Sequence, residues 1–259
     1  MQQLENRKIL ITGATRGLGA ELAVLLAGQG ADIAIVGRDA MAGEDVARQI
    51  RALGRQAIVI AADVADEPAM LAAGEQAVAC FGHVDRLLCV AGLSSPRKPL
   101  TETSTAEFHA YFDVNVLGAA LAMRAVLPSM IERSDGRIVL IGGTYGYKGV
   151  ANSSLYVATK WALRGLARSV ALEVGKHGIT VNVVAPGGVD GPRLRDEFAA
   201  SARREGIAPE AVYQRFTGRT ALGSLVDSQD IAQSVIHLFS DGGRRITGQD
   251  ILIDAGTIV

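Results

Sequence analysis

Residues 8–19, Lys8-Ile9-Leu10-Ile11-Thr12-Gly13-Ala14-Thr15-Arg16-Gly17-Leu18-Gly19, read as a short β-branched strand, a glycine-rich turn and the opening of an Ala/Leu-rich helix that runs on to Gly28. In a strand–turn–helix unit of this kind the helix N-terminus and the backbone N–H groups of the turn converge, and a pyrophosphate is the ligand such a place receives. A purely structural tight turn is the plain alternative, and the strand before and helix after the glycines weigh against it. Three residues and then one separate Gly13, Gly17 and Gly19, a more particular spacing than G-x-G-x-x-G. On this reading Gly13, Thr15, Arg16, Gly17, Leu18 and Gly19 form a cofactor-binding loop.

The same alternation continues outward. Short β-branched runs at 8–12, 32–36, 57–61, 86–90, 137–141, 180–185 and 250–253 predict seven strands. Helix-length segments at 17–28, 40–53, 68–81, 105–133, 154–176 and 228–239 lie between them. Strand–helix alternation means parallel strands joined by crossover helices, and consecutive apolar residues such as Ile138-Val139-Leu140-Ile141 fit strands covered on both faces. The expected fold class is α/β: one doubly wound, seven-stranded parallel sheet with helices on both faces, spanning 1–259 as a single domain. One irregular stretch, 186–220, follows a strand end, where open parallel sheets bind ligands, so a substrate lid is expected at about 187–220; a plain surface insertion is the alternative.

Composition narrows the class. With 49% hydrophobic and 20% charged residues over 259 positions, the chain is a folded globule rather than a disordered tail. Lys plus Arg number 26 against 27 Asp plus Glu, a net charge of −1 that gives no general attraction to nucleic acid or an anionic membrane. No run approaches the roughly 18 consecutive apolar residues of a membrane span, and 1–8 passes through Gln, Glu and Arg, so a cytoplasmic protein is expected. Cys80 and Cys89 are too few for a disulfide framework, and His83, His109, His177 and His237 fall at no metal-ligand spacing, so no metal is expected.

The second strand ends Ile35-Val36-Gly37-Arg38, where a dinucleotide fold reads the adenosine ribose. The acid that would accept from a 2′-hydroxyl is absent, while Arg38, with Arg16 in the glycine loop, suits a 2′-phosphate. NADP is therefore expected over NAD, although Asp39 follows one residue late, and a solvated turn arginine is the plain alternative for Arg38. Tyr156 and Lys160 stand four apart in a helical segment and project from one face. An ammonium beside a phenol favours the phenolate, which suits a general acid/base in carbonyl reduction or alcohol oxidation.

Taken together, Thr12 to Gly19, Asp63-Val64, Ala91-Gly92, Asn115-Val116-Leu117-Gly118, Tyr156-Val157-Ala158-Thr159-Lys160 and Pro186-Gly187 resemble, in order and spacing, the short-chain dehydrogenase/reductases. The resemblance covers nearly the whole chain and implies a single Rossmann-like domain that forms homotetramers or homodimers. It makes Tyr156 the catalytic acid/base and Lys160 its partner and the ligand of the nicotinamide ribose. Asn115 would hold a water linking Lys160 to solvent. Asp63 and Val64 would meet the adenine, Ala91 and Gly92 the ribose region, and Pro186, Gly187 and Val189 the nicotinamide amide.

Departures from the family pattern carry as much weight. The serine that normally stands thirteen residues before the tyrosine is Gly143 here. Thr144 is a candidate substitute, although adjacent strand side chains point to opposite faces. Loss of one such donor costs on the order of a hundred- to a thousandfold in rate. The usual Asn-Asn-Ala-Gly reads Cys89-Val90-Ala91-Gly92, with Cys89 expected as a small buried hydrophobe, and the threonine expected after Pro-Gly reads Gly191.

By position, the substrate should meet Ser94, Ser95 and Arg97, then Thr144, Tyr145, Tyr147 and Lys148, and the stretch 191–204 with Arg193 and Arg195. The cations suggest a carboxylated or phosphorylated small molecule; a merely solvated rim, diluted by Asp196, Glu197 and Glu205, is the alternative. The main expectation is an NADP-dependent oxidoreductase that moves a hydride between nicotinamide and a carbonyl or secondary alcohol. Its rival is a non-catalytic dinucleotide sensor or scaffold that lost the serine. Epimerases and dehydratases of related fold need an additional domain for which 259 residues leave no room. By the same resemblance the helix 154–176, with Trp161 and Leu163, is expected at a subunit interface, with core packing the alternative.

Overall fold

In the computed structural model, which describes residues 2–94 and 97–259, the strands are β1 (Lys8–Thr12), β2 (Asp32–Gly37), β3 (Ala57–Ala61), β4 (Arg86–Cys89), β5 (Gly136–Ile141), β6 (Ile179–Pro186) and β7 (Asp250–Ile253). They form one seven-stranded sheet in the order β3-β2-β1-β4-β5-β6-β7, with every pairing parallel. The order reverses between β1 and β4, and Thr12 pairs with both Val36 and Cys89, so the carboxyl ends of β1, β2 and β4 open onto one crevice. β4 is one residue shorter than the expected 86–90 because the N–H groups of Val90 and Ala91 both turn to the Thr12 carbonyl, at 3.2 and 3.1 Å.

The two-residue period of the strands sorts their side chains into two cores. Leu10, Val36, Leu87, Leu140 and Val183 pack on one face, covered by α3 (Glu67–Phe81), α5 (Gly118–Arg133) and α6 (Ser154–Val174). Ile9, Ile11, Ile35, Leu88, Val139 and Val184 pack on the other, covered by α1 (Gly17–Gly28), α2 (Ala40–Ala52) and α9 (Ser228–Phe239). Helix starts follow their caps: Asp66 accepts from Ala69 N at 3.0 Å, and Asp227 and Asp230 exchange hydrogen bonds at 2.9 Å in a capping box. Asp39 caps α2 by accepting from Ala42 N at 3.0 Å, which engages the acid that follows Arg38.

Two expectations are corrected. The stretch 105–133 is not one regular helix: α4 (Thr105–Phe112) passes through a π-turn, Asp113–Leu117, into α5. Its 18-residue window of mean hydropathy 1.6 is long and apolar enough to cross a membrane, and here these helices pack against α3, α6 and the sheet. The stretch 186–220 is not irregular: it holds α7 (Pro192–Glu205) and α8 (Pro209–Thr217), each with proline in its first turn. Phe198, Ala202 and Val212 form a small core of their own between the two, flanked by Leu194, Tyr213 and Phe216. The prolines and glycines that read as interruptions are helix starts and stops, and the spacing of Leu194, Phe198 and Ala202 is the helical signal that stood behind them.

Candidate active site

The glycine loop sits between the ends of β1 and β2, where Gly13 N and Ala14 N donate to the Val36 carbonyl at 2.8 and 3.4 Å. A Cβ on Gly13 would stand 2.7 Å from the Ala91 backbone, so the loop and the end of β4 touch without room for a side chain. Gly17 differs. Its φ of +56° suits glycine, yet nothing lies within 4 Å of a Cβ built there, so its backbone borders open space. Arg16, the residue before α1, makes no side-chain cap, which leaves the first N–H groups of the helix for a ligand. An open glycine, an uncapped helix N-terminus and a crevice at the sheet's switch point together fit the pyrophosphate of a nicotinamide dinucleotide.

At the end of β2, the exposed Arg38 guanidinium lies 3.8 Å from an Asp63 carboxylate oxygen. The other Asp63 oxygen accepts from Ala65 N at 3.0 Å, which fixes the turn after β3, and Val64 is buried beside Gly118. Arg16 is exposed on the adjoining loop.

Asn115 lies in the π-turn, buried at 2% exposure. Its carboxamide oxygen accepts from Leu93 N at 2.7 Å, and its nitrogen donates to the Leu93 carbonyl and to Thr159 Oγ1, each at 3.1 Å. Thr159 Oγ1 in turn donates to the Tyr156 carbonyl at 2.8 Å. Both amide N–H groups of Asn115 are therefore spent on protein partners, so a water carried by this side chain could only donate to its oxygen. Thr159 is absent from the sequence-derived candidates; its only advance signal was its place inside the Tyr156 to Lys160 turn.

Tyr156 and Lys160 project together from α6, as their spacing predicts. Lys160, 7% exposed, donates from Nζ to the Ile141 carbonyl at the end of β5 at 3.1 Å, and Nζ stands 5.4 Å from the centre of the Tyr156 ring. Tyr145 meets Tyr156 edge to face, ring centres 5.7 Å apart at 73°, and its hydroxyl accepts from Arg97 Nη2 at 3.2 Å. Gly143 has φ +152°, and a Cβ there would find only the Pro186 carbonyl, at 3.8 Å. Space exists where the family's serine would stand, but the backbone holds a conformation that L side chains rarely adopt. Thr144 follows, buried, at the start of a short 3-10 turn, Thr144–Gly146.

The floor under the far side is tight. Gly187 N donates to the Ile253 carbonyl at 2.8 Å, a Cβ on Gly187 would press on the Asp254 backbone at 2.8 Å, and Val189 pairs with Val226. Gly191 precedes α7 as its N-cap residue.

The cations on the segments at the mouth divide into two groups. Arg195 binds Asp190 at 2.8 and 3.0 Å and holds that carboxyl below the usual range. Lys98, with the Ser104 backbone and hydroxyl, holds Glu107 at about 2. Arg97 has no carboxylate partner among the described residues and binds Tyr145 instead. Ser94, Lys148 and Arg193 lie on the same segments, and Ser95 lies outside the described residues.

Tyr147 is a correction. Its ring packs against the core beneath the Arg164 guanidinium, 4.0 Å from ring centre to Cζ, and its hydroxyl is buried, so it is drawn under α6 rather than offered to a substrate. Leu163 is likewise buried in the core, while Trp161 remains half exposed. Burial pushes the Cys89 thiol up to about 12, the behaviour of a packed hydrophobe rather than a nucleophile.

Comparison with known proteins agrees with this fold. The family model "short chain dehydrogenase" matches residues 7–202. Cis-4-hydroxycyclohexanecarboxylate dehydrogenase of Sinomonas cyclohexanicum is 33% identical over 250 residues, covering 96% of each chain. NAD+-bound xylitol dehydrogenase superposes with a TM-score of 0.92 at 28% identity, over 98% of this chain and 100% of that one. Carveol dehydrogenase from Mycobacterium avium in complex with NAD gives a TM-score of 0.92 at 27% identity, over 99% of both.

Proposed function

Since the chain belongs to the short-chain dehydrogenase/reductase family and is an NAD(P)-dependent oxidoreductase of CH–OH and C=O groups, we propose that it works with NADP and acts on a small cyclic hydroxy acid or keto acid. The observation that carries the reading is the Lys160 ammonium, held on the Ile141 carbonyl at 3.1 Å and 5.4 Å from the centre of the Tyr156 ring.

The dinucleotide would lie with its pyrophosphate on Gly13, Thr15, Gly17, Leu18 and Gly19, its 2′-phosphate toward Arg16 and Arg38, and its adenine toward Asp63 and Val64. Ala91 and Gly92 would border the ribose, and Pro186, Gly187 and Val189 the nicotinamide. When bound, this cofactor supplies or accepts the hydride. Tyr156 gives a proton to the carbonyl oxygen in reduction and takes one from the hydroxyl in oxidation. Lys160 favours the phenolate through its charge and holds the ribose. Asn115 and Thr159 orient the helix that carries both. Thr144 donates to the substrate oxygen in place of the missing serine.

A carboxylate on the substrate fits Arg97, whose guanidinium has no carboxylate partner among the described residues and reaches the Tyr156 ring through Tyr145. That the relative from Sinomonas cyclohexanicum bears the name of a hydroxycyclohexanecarboxylate dehydrogenase supports the same class. The pair α7 and α8 is proposed as the lid, and α6 as the interface of a homodimer or homotetramer, supported by its exposed Trp161 and Leu172. A cytoplasmic setting completes the reading, supported by two free cysteines.

The test supplies NADPH with 4-oxocyclohexanecarboxylate or with cyclohexanone and follows nicotinamide absorbance. Faster oxidation with the acid supports the reading. Equal rates remove the carboxylate, and turnover of neither with NADPH or NADH removes cyclic ketones as the substrate class.

A further inference from the structure

Thr15 lies in the glycine loop, yet its side chain turns outward from the loop onto the end of β2. A Cβ placed on Gly37, the last residue of that strand, would stand 2.7 Å from Thr15 Cγ2, 3.2 Å from Oγ1 and 3.5 Å from Cβ. The same methyl is 3.4 Å from a Cβ built on Gly43 of α2, a position already 2.7 Å from Val59 Cγ1 of β3. Loop, strand end and helix thus close around one methyl group, and they can do so because two of the facing positions are glycine.

Rotation relieves the 2.7 Å contact but still leaves a branch near the 3.2 Å position, tighter than ordinary contact. Both heavy branches of Thr15 face position 37, so each staggered χ1 rotamer leaves at least one of them there. Position 37 is also where an NAD site carries the carboxylate that accepts from the 2′-hydroxyl.

We propose that Thr15 is a specificity-determining residue for the dinucleotide: its branched side chain crowds position 37, so an acidic ribose ligand is disfavoured there while Thr15 remains. This rests on the NADP reading above and adds to it that Arg38 is only half of the selection. Arg16 and Arg38 attract the 2′-phosphate, and Thr15 disfavours the group that would reward its absence. Alanine at 15 would remove both branches and leave a Cβ at 3.5 Å from a Cβ at 37, an ordinary contact.

The experiment titrates NADPH and NADH by nicotinamide fluorescence into the parent protein, Gly37→Asp, Thr15→Ala and the double variant, with a thermal melt of each. Gly37→Asp alone is expected to lose NADPH without gaining NADH, because the carboxylate repels the phosphate and finds little room. The double variant is expected to bind NADH at least about tenfold more tightly than Gly37→Asp, the range of coupling seen between residues in contact. Equal NADH affinity of Gly37→Asp and the double variant overturns the proposal. Should the aspartate variants not fold, Gly37→Ala replaces them: it should weaken NADPH when Thr15 is present and not in the Thr15→Ala background, and absence of that difference overturns the proposal too. A parent protein that prefers NADH removes the NADP reading by itself, while the coupling between 15 and 37 is still read from the four affinities.

Discussion

The carboxamide of Asn115 donates to the hydroxyl of Thr159 at 3.1 Å, and that hydroxyl donates to the carbonyl of Tyr156 at 2.8 Å. One buried threonine thus joins the π-turn between α4 and α5 to the first turns of α6, where Tyr156 and Lys160 stand. A π-turn adds a residue to a helix and lets one side chain leave the regular face, which is how Asn115 comes to point at α6 rather than along its own helix. Several measurable consequences rest on this and on neighbouring contacts.

Thr159→Val keeps the volume and removes the hydroxyl, leaving an Asn115 N–H buried without a partner. The expected cost is about 1–3 kcal/mol of stability, the penalty for an unmade buried hydrogen bond. Chemical denaturation should show a lower midpoint at unchanged slope, and an unchanged midpoint would mean that the link carries no weight.

Tyr156→Phe removes the phenolic hydroxyl proposed to move the proton and keeps the ring. Turnover should fall by at least about a hundredfold, the smallest contribution typical of general acid/base catalysis, with dinucleotide affinity unchanged. Thr144→Val and Tyr145→Phe assign the substrate-oxygen donor: if Thr144 has taken over from the missing serine, its variant should lose on the order of a hundredfold in kcat and the Tyr145 variant little.

Gly143→Ser restores the family's residue in the wrong backbone. Because φ is +152°, the serine should lower stability by about 1 kcal/mol or more and should not raise turnover. A faster, equally stable variant would show that the loop relaxes and that only the hydroxyl was missing.

Tyr147 gives a pH dependence of known sign. Burial, joined by the charge of Asp250, pushes its phenol up to about 12, above the ordinary value near 10. A raised folded-state value favours the neutral form in the fold, so this contribution is whole below about pH 10 and is lost as pH rises toward about 12. In Tyr147→Phe the fall in melting temperature over that interval should be shallower. Near neutrality the variant should be little changed, since the hydroxyl it removes is buried without a hydrogen bond among the described residues.

Much of this was written in the local sequence. The strand at 8–12, the glycines at 13, 17 and 19 and the helix start at 17 are set by period and turn chemistry, both of which act within a few residues. The four-residue step from Tyr156 to Lys160 fixes their common face for the same reason. The resemblance to the family placed the absent serine at Gly143, and the strand end at Gly37 showed the absent acid.

Tertiary structure decided what pattern could not, because it depends on residues far apart in the chain meeting at atomic distances. Tyr147 and Tyr145 are two positions apart and alike in chemistry. One is captured beneath Arg164 of α6 and the other held beside Tyr156 by Arg97, and nothing local separates them. The two helices of 186–220 carry a helical spacing in the sequence, and what the fold adds is the core they make with each other. That Thr15 crowds the place of a side chain at Gly37 is a relation across 22 residues, and it exists only once the sheet has brought the glycine loop onto the end of β2.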